Sequence, residues 1–254
     1  MIGARLHELR LAFMLLSRVP MGRLREPVPS IGAAAWAFPL VGVIVGGASA
    51  ATLALGLMVH LSPMVASGLA LAAGVLVTGG LHEDGLADLA DGFGGGADRA
   101  RKLAIMRDSR IGTYGVLALV LVVGLRWAAL ADVAAVAPGR ALGTLVAIGV
   151  ASRAGLAPVL WRMPAARDDG LGKAASGVGA VSAGVSLTLG LGALLVLAGA
   201  AGLILALPIA AMVGALAWLA WRQIGGQTGD VLGAMQQLAE VGAWIVLSGW
   251  MGAR

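Results

Sequence analysis

The densest run of reactive side chains in this sequence is His82-Glu83-Asp84-Gly85-Leu86-Ala87-Asp88-Leu89-Ala90-Asp91-Gly92. Asp84, Asp88 and Asp91 are spaced i, i+4, i+7, which places all three on one face of a helix and leaves Glu83 off it. Stacked carboxylates repel one another unless a cation sits among them. Mg2+ suits such a group, because it takes oxygen ligands and keeps positions for water and substrate phosphates. His82, with an ordinary pKa of roughly 6.5, is a candidate ligand or general base. The plainer alternative is a solvated acidic face.

The residues after the acidic run point to phosphate. Gly92, Gly94, Gly95 and Gly96 lead into Asp98-Arg99-Ala100-Arg101-Lys102 and then Met106-Arg107-Asp108-Ser109-Arg110-Ile111-Gly112. Glycines let backbone N–H groups approach an anion, and guanidinium forks grip phosphate oxygens in pairs. Contact with anionic lipid is the competing use of these arginines. Two further polar segments are Arg167-Asp168-Asp169-Gly170-Leu171-Gly172-Lys173 and Gly225-Gly226-Gln227-Thr228-Gly229-Asp230. The first lacks the spacing of a P-loop. In the second, Asp230 or Thr228 caps the following helix or helps to form an anion site at its N-terminus. With no cysteine in the chain, any metal must be held by oxygen or imidazole.

The elements that position these groups are membrane spans. Of 254 residues, 59% are hydrophobic and 12% charged, and mean hydropathy is +0.92. Val178–Trp221 runs for 44 residues without a charge, enough for two spans of roughly 20 residues each. Apolar windows predict seven spans, near 33–58, 62–80, 114–131, 141–160, 179–199, 201–221 and 237–253. The fold class is therefore an all-α polytopic helical bundle. Leu6, Leu9, Phe13 and Leu16, with nearby arginines, predict an amphipathic interfacial helix within 1–25, ended by Pro20. No cleaved signal peptide is read there, and the net charge of +5 flanks spans rather than forming a nucleic-acid surface. A single membrane-embedded catalytic domain over 1–254 is expected.

Orientation follows from Lys and Arg, which are enriched in cytoplasmic loops. With the N-terminus inside, five residues before the first span, five in 82–113, three in 161–177 and Arg222 place 14 of the 18 on the cytoplasmic side. Arg126 and Arg153 fall within spans. All 13 acidic residues except Asp132 and Glu240 share the cytoplasmic side, so one site there could gather them.

Three separated segments resemble a known family. The run His82–Gly92, Ile105-Met106-Arg107-Asp108-Ser109-Arg110-Ile111-Gly112, and Gly225-Gly226-Gln227-Thr228-Gly229-Asp230-Val231-Leu232-Gly233-Ala234 look like the signatures of the cobalamin synthases, the adenosylcobinamide-GDP ribazoletransferases. The likeness begins at Phe13-Met14-Leu15-Leu16-Ser17-Arg18-Val19-Pro20 and covers essentially the whole chain. Glu83 departs from the apolar residue expected between His82 and Asp84.

The resemblance implies an Mg2+-dependent enzyme of the bacterial inner membrane, with Mn2+ as a substitute. It would join adenosylcobinamide-GDP to α-ribazole or its 5′-phosphate and release GMP. Asp84, Asp88, Asp91, Asp108 and Asp230 are the expected metal ligands, and His82, Asp84, Asp88, Asp91 and Asp108 the expected catalytic groups. Arg107, Ser109, Arg110, Lys173, Gln227 and Thr228 are the expected substrate contacts. Membrane lipids are the other expected partners, nucleic acid is not one, and a homo-oligomer is left open.

Two rivals differ in kind. The CDP-alcohol phosphotransferases also set aspartates at a membrane surface, but here Asp88 stands where their pattern has arginine, and Lys102 where it has the last aspartate. A transporter of an ion or metabolite would hold its substrate near the midplane between internal repeats, whereas these carboxylates gather at one face.

The topology can be tested directly in this cysteine-free chain. Single cysteines at positions 98 and 170 are expected to react with an impermeant thiol reagent from the same side of the membrane. Labelling from opposite sides would overturn the orientation and divide the site.

Overall fold

The computed structural model describes residues 2–252. Thirteen α-helices make up about four fifths of them: α1 (Ile2–Leu16), α2 (Ile31–Ala34), α3 (Phe38–Met58), α4 (Pro63–Thr78), α5 (Leu81–Gly95), α6 (Arg99–Ile105), α7 (Thr113–Val136), α8 (Pro138–Ala154), α9 (Leu156–Arg162), α10 (Gly170–Ala174), α11 (Ala180–Ala198), α12 (Ala201–Ile224) and α13 (Gly229–Gly252). Six stretches are long and apolar enough to cross a membrane, and α4 with α5 brings the number to seven if that bent pair counts as one span. This agrees with an all-α, multi-pass membrane protein.

Several boundaries differ from the predicted ones for physical reasons. The last span begins at Gly229, not near 237, because Asp230, Gln236, Gln237 and Glu240 lower the hydropathy of its first turns while finding partners inside the bundle. Helix α1 stops at Leu16, before Pro20 is reached. The Ser17 hydroxyl donates to the Phe13 carbonyl, and the Arg18 N–H is taken by the carbonyl of Val77 at 2.7 Å. Phe13 and Leu16 of α1 are buried, and Leu6 is exposed.

The second span breaks at Gly79 and Gly80, which both have positive φ (68° and 73°), a conformation that side chains disfavour. There α5 turns away from α4 by 89°. We take α4 as the span and α5 as a separate helix packed along α13 and α7. This elbow carries the acidic run out of the span.

Small residues bring the spans together. Gly42 and Gly46 of α3 form a small-xxx-small pair against α8, the arrangement that lets membrane helices approach backbone to backbone. A Cβ at Gly46 would lie 2.6 Å from the Leu145 carbonyl oxygen, and one at Gly42 would collide with that of Gly149. Gly42→Ala is therefore expected to force α3 and α8 apart and to destabilise the protein by about 1–3 kcal/mol, read as a lower unfolding midpoint in detergent. An unchanged midpoint would show that the crossing is not close.

Candidate functional site

At one end of the bundle, α5, the loop over 163–169 and the start of α13 converge. Helix α5 meets α13 through Gly85 and Gly233, where neither residue has room for much more than hydrogen: a Cβ at Gly85 would sit 3.0 Å from the Asp230 carbonyl oxygen. That closeness brings Asp84 and Asp88 of α5 into the field of Asp230. Arg167 donates to Asp230 at 2.9 Å, and the Thr228 hydroxyl donates to the same carboxylate at 3.2 Å. A cavity of about 170 Å3 is lined by His82, Asp84, Gly85, Gly229 and Asp230 on its polar side and by leucines of α1 and α9 on the other.

Electrostatics mark Asp88 as the crowded member. Burial pushes its carboxyl up to about 7, the charges of Asp84, Asp230 and Asp91 add to the rise, and Arg167 opposes it. Four carboxylates act on one another here with a single guanidinium among them.

The other expected site residues have different surroundings. Asp91 is buried and turns to the start of α7, where its two oxygens accept the Gly112 N–H at 2.6 Å and the Gly115 N–H at 2.9 Å. Asp108 lies in the connection from α6 to α7 and is held by Arg110, whose hydrogen bond keeps its carboxyl down at about 2. It is not among the charges that act on Asp88. Arg107 reaches across to Asp169, and Lys173 lies 3.9 Å from Asp168, both at the surface. Ser109 is exposed. Gln227 and Thr228 are buried and occupied with architecture: the Gln227 amide donates to the Gly172 carbonyl, and the Thr228 hydroxyl caps α13 by accepting the Val231 N–H. Asp84, Asp88 and Asp230 are thus brought together, while Asp91 and Asp108 are committed to other partners.

His82 is 2% exposed, and neither ring nitrogen has a hydrogen-bond partner among the described residues. Behind it lies a charged cluster within the spans. Arg126 of α7 contacts Glu240 of α13 at 2.7 Å and Glu83 of α5 at 3.8 Å, and Arg153 of α8 contacts Glu240 at 3.4 Å. Gln236 and Ser152 also donate to Glu240, and Gln237 to Glu83. This cluster and Arg167 lie outside the site residues expected from the sequence. The available signal was balance: two arginines and one glutamate inside apolar spans need partners, and Glu83, one residue before Asp84, completes the set of two charges of each sign.

Among the described residues no three His, Asp or Glu side chains form a ready-made metal cage. The donor set nevertheless fits Mg2+, which is commonly bound through one or two carboxylates and completed by water and substrate phosphates. Asp84, Asp88 and Asp230 supply oxygen only, and the crowding that raises Asp88 is what a cation among them relieves.

A family model described as cobalamin-5-phosphate synthase matches residues 8–248. The chain belongs to that family. Among its relatives is the adenosylcobinamide-GDP ribazoletransferase of Bradyrhizobium diazoefficiens, 44% identical over 92% of this chain and 90% of the relative. Those of Mesorhizobium japonicum (43% identical, 96% of this chain and 93% of the relative) and Leptothrix cholodnii (41% identical, 98% of each) carry the same name. No solved structure matches the chain. Family membership makes it a transferase of cobalamin synthesis.

The raised Asp88 carboxyl has a consequence for the metal-free protein. A folded-state value near 7 against an ordinary 3.8 means that the folded state holds a proton which the unfolded state has lost, so stability falls as pH rises through that window. Asp88→Asn is expected to raise the unfolding midpoint in chelator at pH 8, with the gain shrinking toward pH 4. A gain independent of pH, or none, would show that the carboxylates are not crowded.

Proposed function

We propose that this chain joins adenosylcobinamide-GDP to α-ribazole or its 5′-phosphate, releasing GMP, and that Mg2+ supports the reaction. In this reading it works in the bacterial inner membrane, with the α5–α13 site facing the cytoplasm. The observation that carries the reading is the meeting of Asp84, Asp88 and Asp230 beside Arg167 at one end of the bundle, in a chain whose relatives bear that enzyme's name. The bias of Lys and Arg supports the orientation.

The chemistry required is a phosphoryl-group transfer. A ribazole hydroxyl oxygen attacks the phosphorus attached to cobinamide, the bond from that phosphorus to the bridging oxygen breaks, and the electron pair leaves with GMP. Carboxylates of the Asp84, Asp88 and Asp230 group would hold Mg2+, which when bound would supply positive charge to stabilise the phosphate oxygens. A carboxylate oxygen of this group that is free of the ion accepts the hydroxyl proton. Arg167 holds Asp230 in place, and its remaining N–H groups suit phosphate oxygens. Arg107 and Arg110 each have an aspartate partner at the surface, and their remaining N–H groups could contact phosphate oxygens.

Purified protein in neutral detergent is expected to form GMP and the cobalamin product from adenosylcobinamide-GDP, either ribazole substrate and Mg2+. Thorough chelation should stop turnover, and Mg2+ or Mn2+ should restore it. Asp84→Asn and Asp230→Asn should each lower turnover by at least about a hundredfold, the order of loss on removing a key electrostatic stabiliser. Folded protein that makes no GMP would sink the reaction assignment, and undiminished turnover after chelation would sink the metal.

A further inference from the structure

We propose that a second pocket, which shares Asp84 with the cavity that contains Asp230, binds the nucleoside acceptor, and that Arg18 receives its phosphomonoester. This rests on the transferase reading above and adds a substrate subsite to it. The pocket has a volume of about 570 Å3, within the roughly 300–1,000 Å3 typical of small-molecule sites. It is bounded by the end of α1, the Gly79–Gly80 elbow, α5 and α7. Asp84 lines both this pocket and the one that contains Asp230. A reaction that joins two substrates at one phosphorus needs two approaches to one centre, and Asp84 stands where they meet.

The chemistry of the walls fits one kind of ligand. Met14, Leu15, Leu81, Ile111 and Leu119 supply an apolar surface for a fused aromatic base. Three charged residues line the pocket: Arg18, Glu83 and Asp84. Glu83 is engaged by Gln237 and Arg126, and Asp84 belongs to the reaction centre. Arg18 is an exposed arginine whose guanidinium makes no hydrogen bond or ion pair among the described residues. Its backbone is nonetheless anchored and its side chain packs on the elbow. Its backbone N–H is bonded to the Val77 carbonyl, and its side chain lies so close over the elbow that any Cβ at Gly79 would strike it. The glycine that turns α5 therefore also makes room for Arg18. A held, unpaired guanidinium at the rim of an apolar pocket is suited to a phosphate in bidentate contact.

A lipid headgroup could supply the same phosphate chemistry, so the experiment separates the two sources. In neutral detergent with adenosylcobinamide-GDP and Mg2+, kcat/KM is measured for α-ribazole 5′-phosphate and for α-ribazole. In Arg18→Gln the ratio of the first to the second is expected to fall by about 10- to 100-fold, the worth of a hydrogen bond to a charged group, and Arg18→Lys should recover part of it. A ratio that stays constant overturns the proposal.

A second arm is read without turnover. Ile111 is 54% exposed, so Ile111→Cys should react with a thiol reagent. α-Ribazole 5′-phosphate should slow this labelling, and should cease to do so when Arg18→Gln is added. Protection by phosphatidylglycerol vesicles but not by α-ribazole 5′-phosphate would assign Arg18 to lipid and overturn the proposal. Protection that persists in a protein making no GMP would locate the failure in the reaction assignment, leaving the pocket standing.

Discussion

Glu240 is the residue on which the arrangement of the site depends. It lies well inside the bundle, where an unpaired charge is costly, and it holds Arg126 and Arg153 from two other spans. Arg126 in turn reaches Glu83 on α5. Two positive and two negative side chains cancel in a medium that solvates neither sign, and Gln236 and Ser152 share one Glu240 oxygen with Arg153, as Gln237 shares one Glu83 oxygen with Arg126. Removing one partner of a buried pair typically costs about 3–5 kcal/mol, because it strands the other. The cluster therefore ties α5, α7, α8 and α13 to one another in a single register.

Helix α5 is consequently two-faced. Glu83 faces inward and is neutralised by arginine, whereas Asp84, the next residue, faces the cavity beside Asp230. Asp88 lies one turn further on, in the same crowded field. Charge is satisfied on one face and left in excess on the other. Close contact between Gly85 and Gly233 sets the spacing between these faces, since the two helices meet there with almost no side chain between them.

Much of this was legible in the sequence. Apolar windows give seven spans because lipid demands it, and the i, i+4, i+7 aspartates do fall on a helix. The resemblance of three segments to cobalamin synthases agrees with the family match. Spacing could not reveal that Asp91 serves α7, because a shared helix face says nothing of which neighbouring backbone is close enough to donate to it. Gln227 and Thr228 likewise belong to a motif yet spend their polar groups on Gly172 and Val231. The 89° elbow was hidden within an apolar window that ran smoothly to residue 80. Arg167 stood out from no pattern, since its pairing with Asp230 spans 63 residues of sequence.

The charged cluster also has a bearing on how the chain is made. Arg126 and Arg153 belong to spans that emerge from the ribosome long before α13, so each enters the bilayer without its main counterion. Glu240 arrives last and closes the circuit. Until then Glu83 is the one acidic member of the four already in place, and the half-built cluster carries an excess positive charge at membrane depth. A chain cut short between α8 and α13 would keep that imbalance, so α13 is the element that completes the charge balance inside the bundle.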